Sequence, residues 1–169
     1  MSAVNGFNFM ERYLSKPTPF MADHWSEILP DWTRPPQAIA ICLLRAKVPL
    51  DLDGKPQHRE KDRLLNEFLA FGNRLVQRDL PISHYVEIIS PQDGKPVFSQ
   101  AGNSHVDLVA TVHHCLGFPF IRSPQGCKLL LHPEWRSAVY PGLVITTMPM
   151  ADASLFFHLD PAENPVFPC

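Results

Sequence analysis

The chain has 169 residues, of which 45% are hydrophobic and 19% are charged, and this composition predicts one packed domain over residues 1–169 and excludes disorder. Its 15 basic and 17 acidic residues give a net charge of −2, so the chain has no broad basic surface for nucleic acid. The longest uninterrupted apolar run, Ala38 to Leu44, is far shorter than the ~18 residues that a membrane-spanning helix needs.

Prolines punctuate the first part of the chain. Eighteen of the 169 residues are proline, about twice the ~5% of an average protein. Residues 1–37 form a proline-rich N-terminal segment, with one short helix predicted from roughly Met21 to Leu29. Ile39 to Leu44 is apolar throughout, which predicts a strand buried on both faces.

The middle of the chain predicts a long helix followed by a hairpin. Apolar residues recur at helical spacing between His58 and Arg78, with charges on the opposite face. His84 to Ile89 reads as a strand, the following Pro-Gln-Asp-Gly as a turn, and Pro96 to Ser99 as a second short strand.

A second clear helix and another strand follow the hairpin. Ser104 is expected to cap the helix, with Asp107 in the capping-box position, and Gly117 suits a left-handed C-terminal cap. Cys127 to His132 then predicts a strand.

The last predicted strand contains a proline. Val139 to Thr147 is rich in β-forming residues, and Pro141 within it indicates an edge strand or a bulge. Residues 155–169 are expected to be an extended C-terminal tail. The interleaved elements, with an antiparallel hairpin, predict an α+β sandwich in which helices pack on a mixed or antiparallel sheet.

The cysteines and the N-terminus bear on the compartment. The N-terminus is typical of neither a signal peptide nor an Arg-rich transit sequence, so we expect a cytoplasmic protein. Cys42, Cys115, Cys127 and Cys169 lie far apart with no C-x-x-C pair, and in the cytoplasm they are expected to be reduced thiols.

The cysteines and histidines suggest two kinds of site, a zinc site and the catalytic pair of a thiol hydrolase. His113, His114 and Cys115, together with Cys127 and His132, are residue types that bind zinc, although their spacing matches no familiar zinc motif. Cys127 paired with His132 or His114 is the corresponding candidate for a thiol hydrolase.

Cys127 has the more suggestive surroundings. It follows a Ser-Pro-Gln-Gly loop that ends at Gly126, and Arg122 and Lys128 lie close to it in sequence. Neighbouring positive charge favours the thiolate, which is the form of cysteine that binds metals. A thiolate displayed on a loop can therefore coordinate a soft or borderline transition metal presented from outside.

The order and spacing of several segments resemble the CblD family of cobalamin trafficking proteins, the methylmalonic aciduria and homocystinuria type D proteins. The resemblance covers about residues 13–148, most of the chain. The segments that carry it are Tyr13-Leu14-Ser15, Ile28-Leu29-Pro30-Asp31-Trp32, the strand Ile39 to Leu44, His58-Arg59-Glu60 leading into Leu64-Leu65-Asn66-Glu67-Phe68, Tyr85 to Phe98, Leu116-Gly117-Phe118, Gly126-Cys127-Lys128, His132, Trp135 and Val144 to Thr147.

The resemblance implies a fold, a cargo and a partner. The family's globular region has a nitroreductase-like fold, and a member is expected to act as an adaptor, without flavin and without catalysing a reaction by itself. The partner would be a CblC-like cobalamin-processing protein, and the receiving enzymes methionine synthase or methylmalonyl-CoA mutase. A cysteine thiolate in the Gly-Cys loop would bind the cobalt of the cobalamin that the partner holds.

Carried onto this chain, the resemblance makes Cys127 the cobalt ligand. Arg122, Gln125, Gly126 and Lys128 would shape its loop. Animal members of the family have two adjacent cysteines after the glycine, the first being the cobalt ligand, whereas this chain has one. Cys127 matches the second if Lys128 is aligned, and the first if the preceding loop is one residue shorter.

The alternative is an enzyme of the same fold, a flavin-dependent reductase of nitroreductase type that acts on cobalamin or on small electrophiles. Such an enzyme needs cationic side chains for the FMN phosphate. Arg34, Arg45 and Lys47 are the candidates for that role.

Overall fold

The computed structural model of the chain describes residues 10–78 and 83–159, which form four helices, a four-stranded sheet and a separate two-stranded hairpin. In chain order the elements are β1 (Met10–Ser15), α1 (Pro19–Ile28), β2 (Ala38–Arg45), α2 (Lys55–Val76), β3 (Val86–Ile89), α3 (Leu108–Leu116), β4 (Phe120–Arg122), β5 (Lys128–Leu130), β6 (Val139–Thr146) and α4 (Met150–Phe157).

The main sheet has the strand order β1-β2-β6-β3. Every pairing in it is antiparallel, so the α+β class is confirmed, and of the two sheet types predicted, mixed and antiparallel, the sheet is antiparallel. β4 and β5 pair with each other in a second sheet. The central pair β2–β6 is the longest, with eight residues of each strand in register.

β2 explains why the sheet is covered on both sides, as its unbroken apolar sequence predicts. Side chains of alternate residues point to opposite faces. Ala38, Ala40 and Cys42 lie on the face covered by α2 and α4, while Ile39 and Ile41 lie on the other face, under α1 and α3. The molecule is therefore a three-layer sandwich with the sheet in the middle.

The small side chains on one face of the sheet let α2 approach closely. Phe68 of α2 is fully buried and lies over Gly142 of β6, where an added Cβ would be only 2.6 Å from Phe68 Cε2. The apolar stripe of α2, which the sequence predicts from His58 to Arg78, is thus the face that packs on the sheet.

Helix α3 begins later than predicted. Asp107 itself is the N-cap and accepts a hydrogen bond from the Ala110 N–H, so the assignment of Ser104 as the cap is wrong. Gly117 ends the helix in the left-handed conformation, with φ +72°, as its position predicts.

The hairpin predicted after α2 is only partly formed. β3 spans Val86–Ile89, but the return segment from Pro96 to Ser99 makes a single bridge, Ile89 to Pro96, instead of a strand.

The described residues nearest the two ends of the chain contain more regular structure than the sequence suggests. The proline-rich segment 1–37 contributes β1, which pairs with β2 along six residues. The extended tail predicted from residue 155 is wrong for residues 155–157, which belong to α4. The remainder of that tail, from residue 160, and residues 1–9 lie outside the described residues.

β6 corrects one further expectation. Pro141 predicts an edge strand or a bulge, but β6 lies between β2 and β3 and pairs with β2 residue for residue, without a bulge. The proline is accommodated because β3 reaches only as far as the Ile89–Leu143 pair, so Pro141 has a strand neighbour on one side alone. In the described ranges, no helix combines the length and apolar character needed to cross a membrane.

Candidate functional site

Cys127 lies at the end of the loop that joins β4 to β5. The Gly126 N–H donates to the Ser123 carbonyl at 2.8 Å, and the Ser123 N–H donates to the Cys127 carbonyl at 2.8 Å. The Cys127 N–H donates in turn to Ser123 Oγ at 3.1 Å. Gly126 has φ +84°, a value that favours glycine and is common at this point of a hairpin loop. The thiol is free and exposed.

The four residues predicted to shape this loop all lie in it or beside it. Arg122 and Lys128 are the facing pair that closes the hairpin. Arg122 Nη1 donates to the Gly126 carbonyl at 3.3 Å. This hydrogen bond joins the end of β4 to the residue that precedes Cys127. Gln125 is exposed at the turn.

Lys128 fastens the hairpin to helix α3. Its Nζ pairs with Asp107 Oδ2 and lies 5.7 Å from the centre of the Phe120 ring. Burial acts to raise the pKa of Asp107, but hydrogen bonds from Lys128 and from the Ala110 N–H outweigh it, and the pKa is lowered below its usual value. The ion pair therefore persists at neutral pH and holds β5 against the start of α3.

A cleft of about 670 Å³ borders the thiol. Cys127, Gly126 and Arg122 lie on its hairpin side. The start of α2, the turn at Pro91–Gly94, the start of α3 and the first residues of β6 form its other walls. The thiol is thus exposed beside a concavity large enough for part of a ligand.

His132 is a core residue with both ring nitrogens engaged. It is 4% exposed, and its ring stacks on Trp135 with centroids 4.0 Å apart. Nδ1 accepts from the N–H groups of Glu134 and Trp135 at 3.1 Å each, so the hydrogen-bond network assigns the proton to Nε2, which donates to Glu11 at 2.9 Å. His132 is therefore not placed to act as a base for Cys127.

The other predicted zinc residues do not join Cys127. His113 and His114 line a second groove, away from the cleft beside Cys127. The Nδ1 of His113 bonds to the Phe118 carbonyl, and Cys115 is buried. Within residues 10–78 and 83–159, no three His, Cys, Asp or Glu side chains form a group that could hold a metal ion.

The candidates for binding a flavin phosphate are also apart. Arg34 precedes β2, while Arg45 and Lys47 lie at its far end. The length of the strand separates the two ends by about 23 Å. The Arg45 guanidinium lies 5.7 Å from the Trp135 ring centre. These three residues do not converge on one anion.

The cysteines have different environments. Cys42 is a free thiol inside the sheet, and burial raises its pKa to about 12. Cys115 is disulfide-bonded, so the expectation of a reduced thiol is wrong there. Cys169 lies outside the described residues.

A thiol-specific reagent such as Ellman's reagent should distinguish Cys127 from Cys42. We expect the folded protein to react rapidly at Cys127, because that thiol is exposed, and at Cys42 only on unfolding, because it is buried and resists ionisation. Cys127→Ser should abolish the fast phase and Cys42→Ala should retain it. A fast phase that survives in Cys127→Ser would contradict this accessibility.

The sequence indicated the exposed cysteine and its loop neighbours, but not the contact between Lys128 and Asp107. Asp107 is recognisable as a helix-capping residue, yet its ion pair with Lys128 joins positions 21 apart. β4 has only three residues, too few for a periodicity signal. The sequence Ser-Pro-Gln-Gly, with proline second and glycine fourth, is the available signal for a hairpin turn there.

No family model and no curated protein matches the chain. The hairpin, its thiol and the adjoining cleft are therefore the features that indicate a function.

Proposed function

We propose that this protein is an adaptor in cobalamin trafficking that presents Cys127 to the cobalt of cobalamin held by a CblC-like partner. The observation that carries the proposal is a free, exposed thiol at a hairpin tip, beside an open cleft. The resemblance of the sequence to the CblD family supplies the cargo and the partner, and the three-layer sandwich is compatible with that family's nitroreductase-like fold.

The chemistry requires a thiolate and an accessible axial position on cobalt. Cys127 would lose its proton to solvent, and its sulfur would then bind the metal. The sulfur would take a coordination position that is vacant, or one from which a bound water leaves. An axial thiolate donates electron density to the metal, as axial ligands do in other metal macrocycles. The protein is proposed to act without flavin and to pass the cargo towards methionine synthase or methylmalonyl-CoA mutase.

The residues around the thiol support a holding role. Ser123, Gly126 and Arg122 fix the loop by the hydrogen bonds described above, and Lys128 fixes the hairpin to α3 through Asp107. A ligand held this way loses little conformational freedom when it binds. The alternative, a flavin-dependent reductase, has less support, because Arg34 and Arg45 lie at opposite ends of β2 and cannot bind one phosphate together.

The states of the cysteines bear on the proposed cytoplasmic location in two opposite ways. Free thiols at Cys42 and Cys127 suit a reducing compartment, whereas the disulfide at Cys115 is typical of an oxidising one. Fluorescence microscopy of the tagged protein in its host, with the tag at either end, tests the location.

The proposal is tested by mixing the protein with a CblC-like protein and Co(II) cobalamin under anaerobic conditions. We expect new absorption bands and an altered cobalt EPR spectrum with the wild type and none with Cys127→Ser. Cys42→Ala, which removes the buried free thiol and keeps Cys127, should behave as the wild type. The same spectral change in Cys127→Ser would refute cobalt ligation by this residue.

A further inference from the structure

The two edge strands of the main sheet, β3 and β1, differ in how they are covered. The Val97 N–H donates to the Ile88 carbonyl at 3.1 Å and the Ser90 N–H to the Lys95 carbonyl at 2.9 Å, so the segment after β3 lies along its outer edge. Within residues 10–78 and 83–159, no strand and no hydrogen-bonded segment lies beyond β1. Native proteins normally cover or block such an edge, because its open backbone groups pair readily with another strand.

The register of the sheet shows which backbone groups of β1 are open. The bond from the Ala46 N–H to the Ala138 carbonyl directs even-numbered residues of β2 towards β6, so odd-numbered residues of β2 are directed towards β1. These pair with odd-numbered residues of β1, as Ile41 does with Tyr13. Three residues of β1 therefore point their N–H and carbonyl groups away from the sheet: Met10, Arg12 and Leu14.

The charged side chains of β1 do not block this edge. Arg12 Nη1 donates to the Phe157 carbonyl at 3.1 Å, at the end of α4. Glu11 accepts from the Tyr13 hydroxyl at 2.7 Å and from His132 at 2.9 Å. Both charges are thus held by groups of the same molecule, and the outer backbone groups of β1 stay accessible to a second strand.

Most ways of pairing β1 with a second copy of itself bring like charges together. Two identical strands pair antiparallel about a two-fold axis that passes through one residue of each strand. An axis at Glu11 places two carboxylates opposite each other, and an axis at Arg12 places two guanidinium groups opposite each other. An axis at Leu14 places Arg12 opposite Lys16 of the second copy. Like charges directly opposite each other destabilise a strand pair.

An axis at Tyr13 brings no like charges together. It pairs Arg12 with Leu14 of the second copy, and Glu11 with Ser15 of the second copy. Arg12 and Leu14 are both open residues, so each pair can form two backbone hydrogen bonds, and the symmetry repeats them. The sequence of β1 is therefore complementary to itself in this one register.

Helix α4 offers apolar surface beside the same edge. It packs against β1 and carries Leu155, which is 75% exposed, more than any other large hydrophobic side chain in the described ranges. A strand pair alone is narrow compared with the ~800 Å² that each partner buries in a stable interface. A two-fold axis perpendicular to the sheet places both α4 helices on one face of the joined sheet, whereas a single bound peptide strand brings no second helix. This favours a second copy as the occupant.

We propose that two copies of this protein pair through β1 about a two-fold axis at Tyr13, so that their two main sheets become one continuous antiparallel sheet. The cleft beside Cys127 is lined by the turn after β3, at the other edge of the sheet, and no residue of β1 lines it. The cleft therefore stays open in the dimer, and the dimer does not depend on the proposed function.

Sedimentation equilibrium of the full chain tests the dimer. We expect a dimer that dissociates on dilution. Arg12→Pro removes an N–H that points away from the sheet and keeps the bonds between β1 and β2, so it should weaken the dimer about tenfold or more. Arg12→Ala loses the same bond to the Phe157 carbonyl but keeps the N–H, and should dimerise as the wild type does. A wild type that is monomeric at every concentration, or a folded Arg12→Pro variant that dimerises equally well, would overturn the proposal.

Disulfide cross-linking tests the register, in a Cys127→Ser background that removes the exposed thiol. The two Tyr13 Cα atoms would lie about 4.5 Å apart, within the ~4.4–6.8 Å that a disulfide spans, so Tyr13→Cys should give a covalent dimer on oxidation. The two Glu11 positions would be about 13 Å apart along the strands, so Glu11→Cys should not. A link through position 11 instead of 13 would contradict the register. If circular dichroism shows that Arg12→Pro is unfolded, the sedimentation of the wild type and this cross-linking decide.

Discussion

Gly94→Ala should destabilise the protein by about 3 kcal/mol, because two costs coincide at this position. Gly94 has φ +70°, and an added Cβ would lie 2.1 Å from the Val106 carbonyl oxygen. The Gly94 N–H donates to the Ser90 carbonyl and the Gly94 carbonyl accepts from the Val106 N–H, each at 2.9 Å, so the backbone cannot move aside without losing these bonds. Urea unfolding followed by circular dichroism measures the effect.

Gly117→Ala is the matched control for Gly94→Ala. Gly117 has a similar φ of +72°, but an added Cβ there would meet nothing within 4 Å. Only the backbone strain remains, at a cost of about 1 kcal/mol. Gly94 and Val106 form part of one wall of the cleft. Equal losses of unfolding free energy in the two variants would contradict the close contact between these two residues.

Glu87→Ala should cost about 3–5 kcal/mol, since Glu87 is a fully buried carboxylate whose hydrogen bonds are all to the backbone. Its oxygens accept from the N–H groups of Ile88 at 2.7 Å, of Phe98 at 3.1 Å and of Ser99. Removing the carboxylate leaves three backbone donors without their acceptor. It also frees the segment after β3, which the carboxylate holds against the sheet.

Two variants make the Glu87 measurement specific. Asp93→Ala removes an exposed carboxylate that accepts a single backbone hydrogen bond, from Lys95 at 3.1 Å, and should cost under about 1 kcal/mol. Glu87→Gln retains one acceptor oxygen and should fall between the two. Thermal unfolding of the three variants and the wild type measures these losses of stability. A loss of stability in Glu87→Ala no larger than that in Asp93→Ala would contradict the role of Glu87.

The parts of the fold that could be predicted are those with a local signal. Helix α2 has a long apolar stripe, β2 an unbroken apolar run, and α3 ends at a glycine in the left-handed conformation. β1 escaped prediction because its residues read Met-Glu-Arg-Tyr-Leu-Ser, and their strand conformation depends on pairing with β2, some 30 positions away. α4 is short, and its burial against the sheet comes from tertiary packing.

The candidate site shows the same division. The exposure of Cys127 could be predicted from the loop before it, as Gly126 and the neighbouring proline indicate a turn. The ion pair of Lys128 with Asp107 could not, because it depends on how the hairpin and the start of α3 meet in three dimensions. The stacking of His132 on Trp135 likewise removed a candidate base that spacing alone left open.

X-ray absorption at the cobalt K-edge tests most directly whether the Cys127 sulfur binds the metal. The sample is the complex of this protein with a CblC-like protein and Co(II) cobalamin, prepared without oxygen. We predict one sulfur atom in the first coordination shell of cobalt for the wild type, and only nitrogen and oxygen for Cys127→Ser. A first shell without sulfur in a wild-type complex that has formed, or a sulfur atom that persists in Cys127→Ser, would contradict the account.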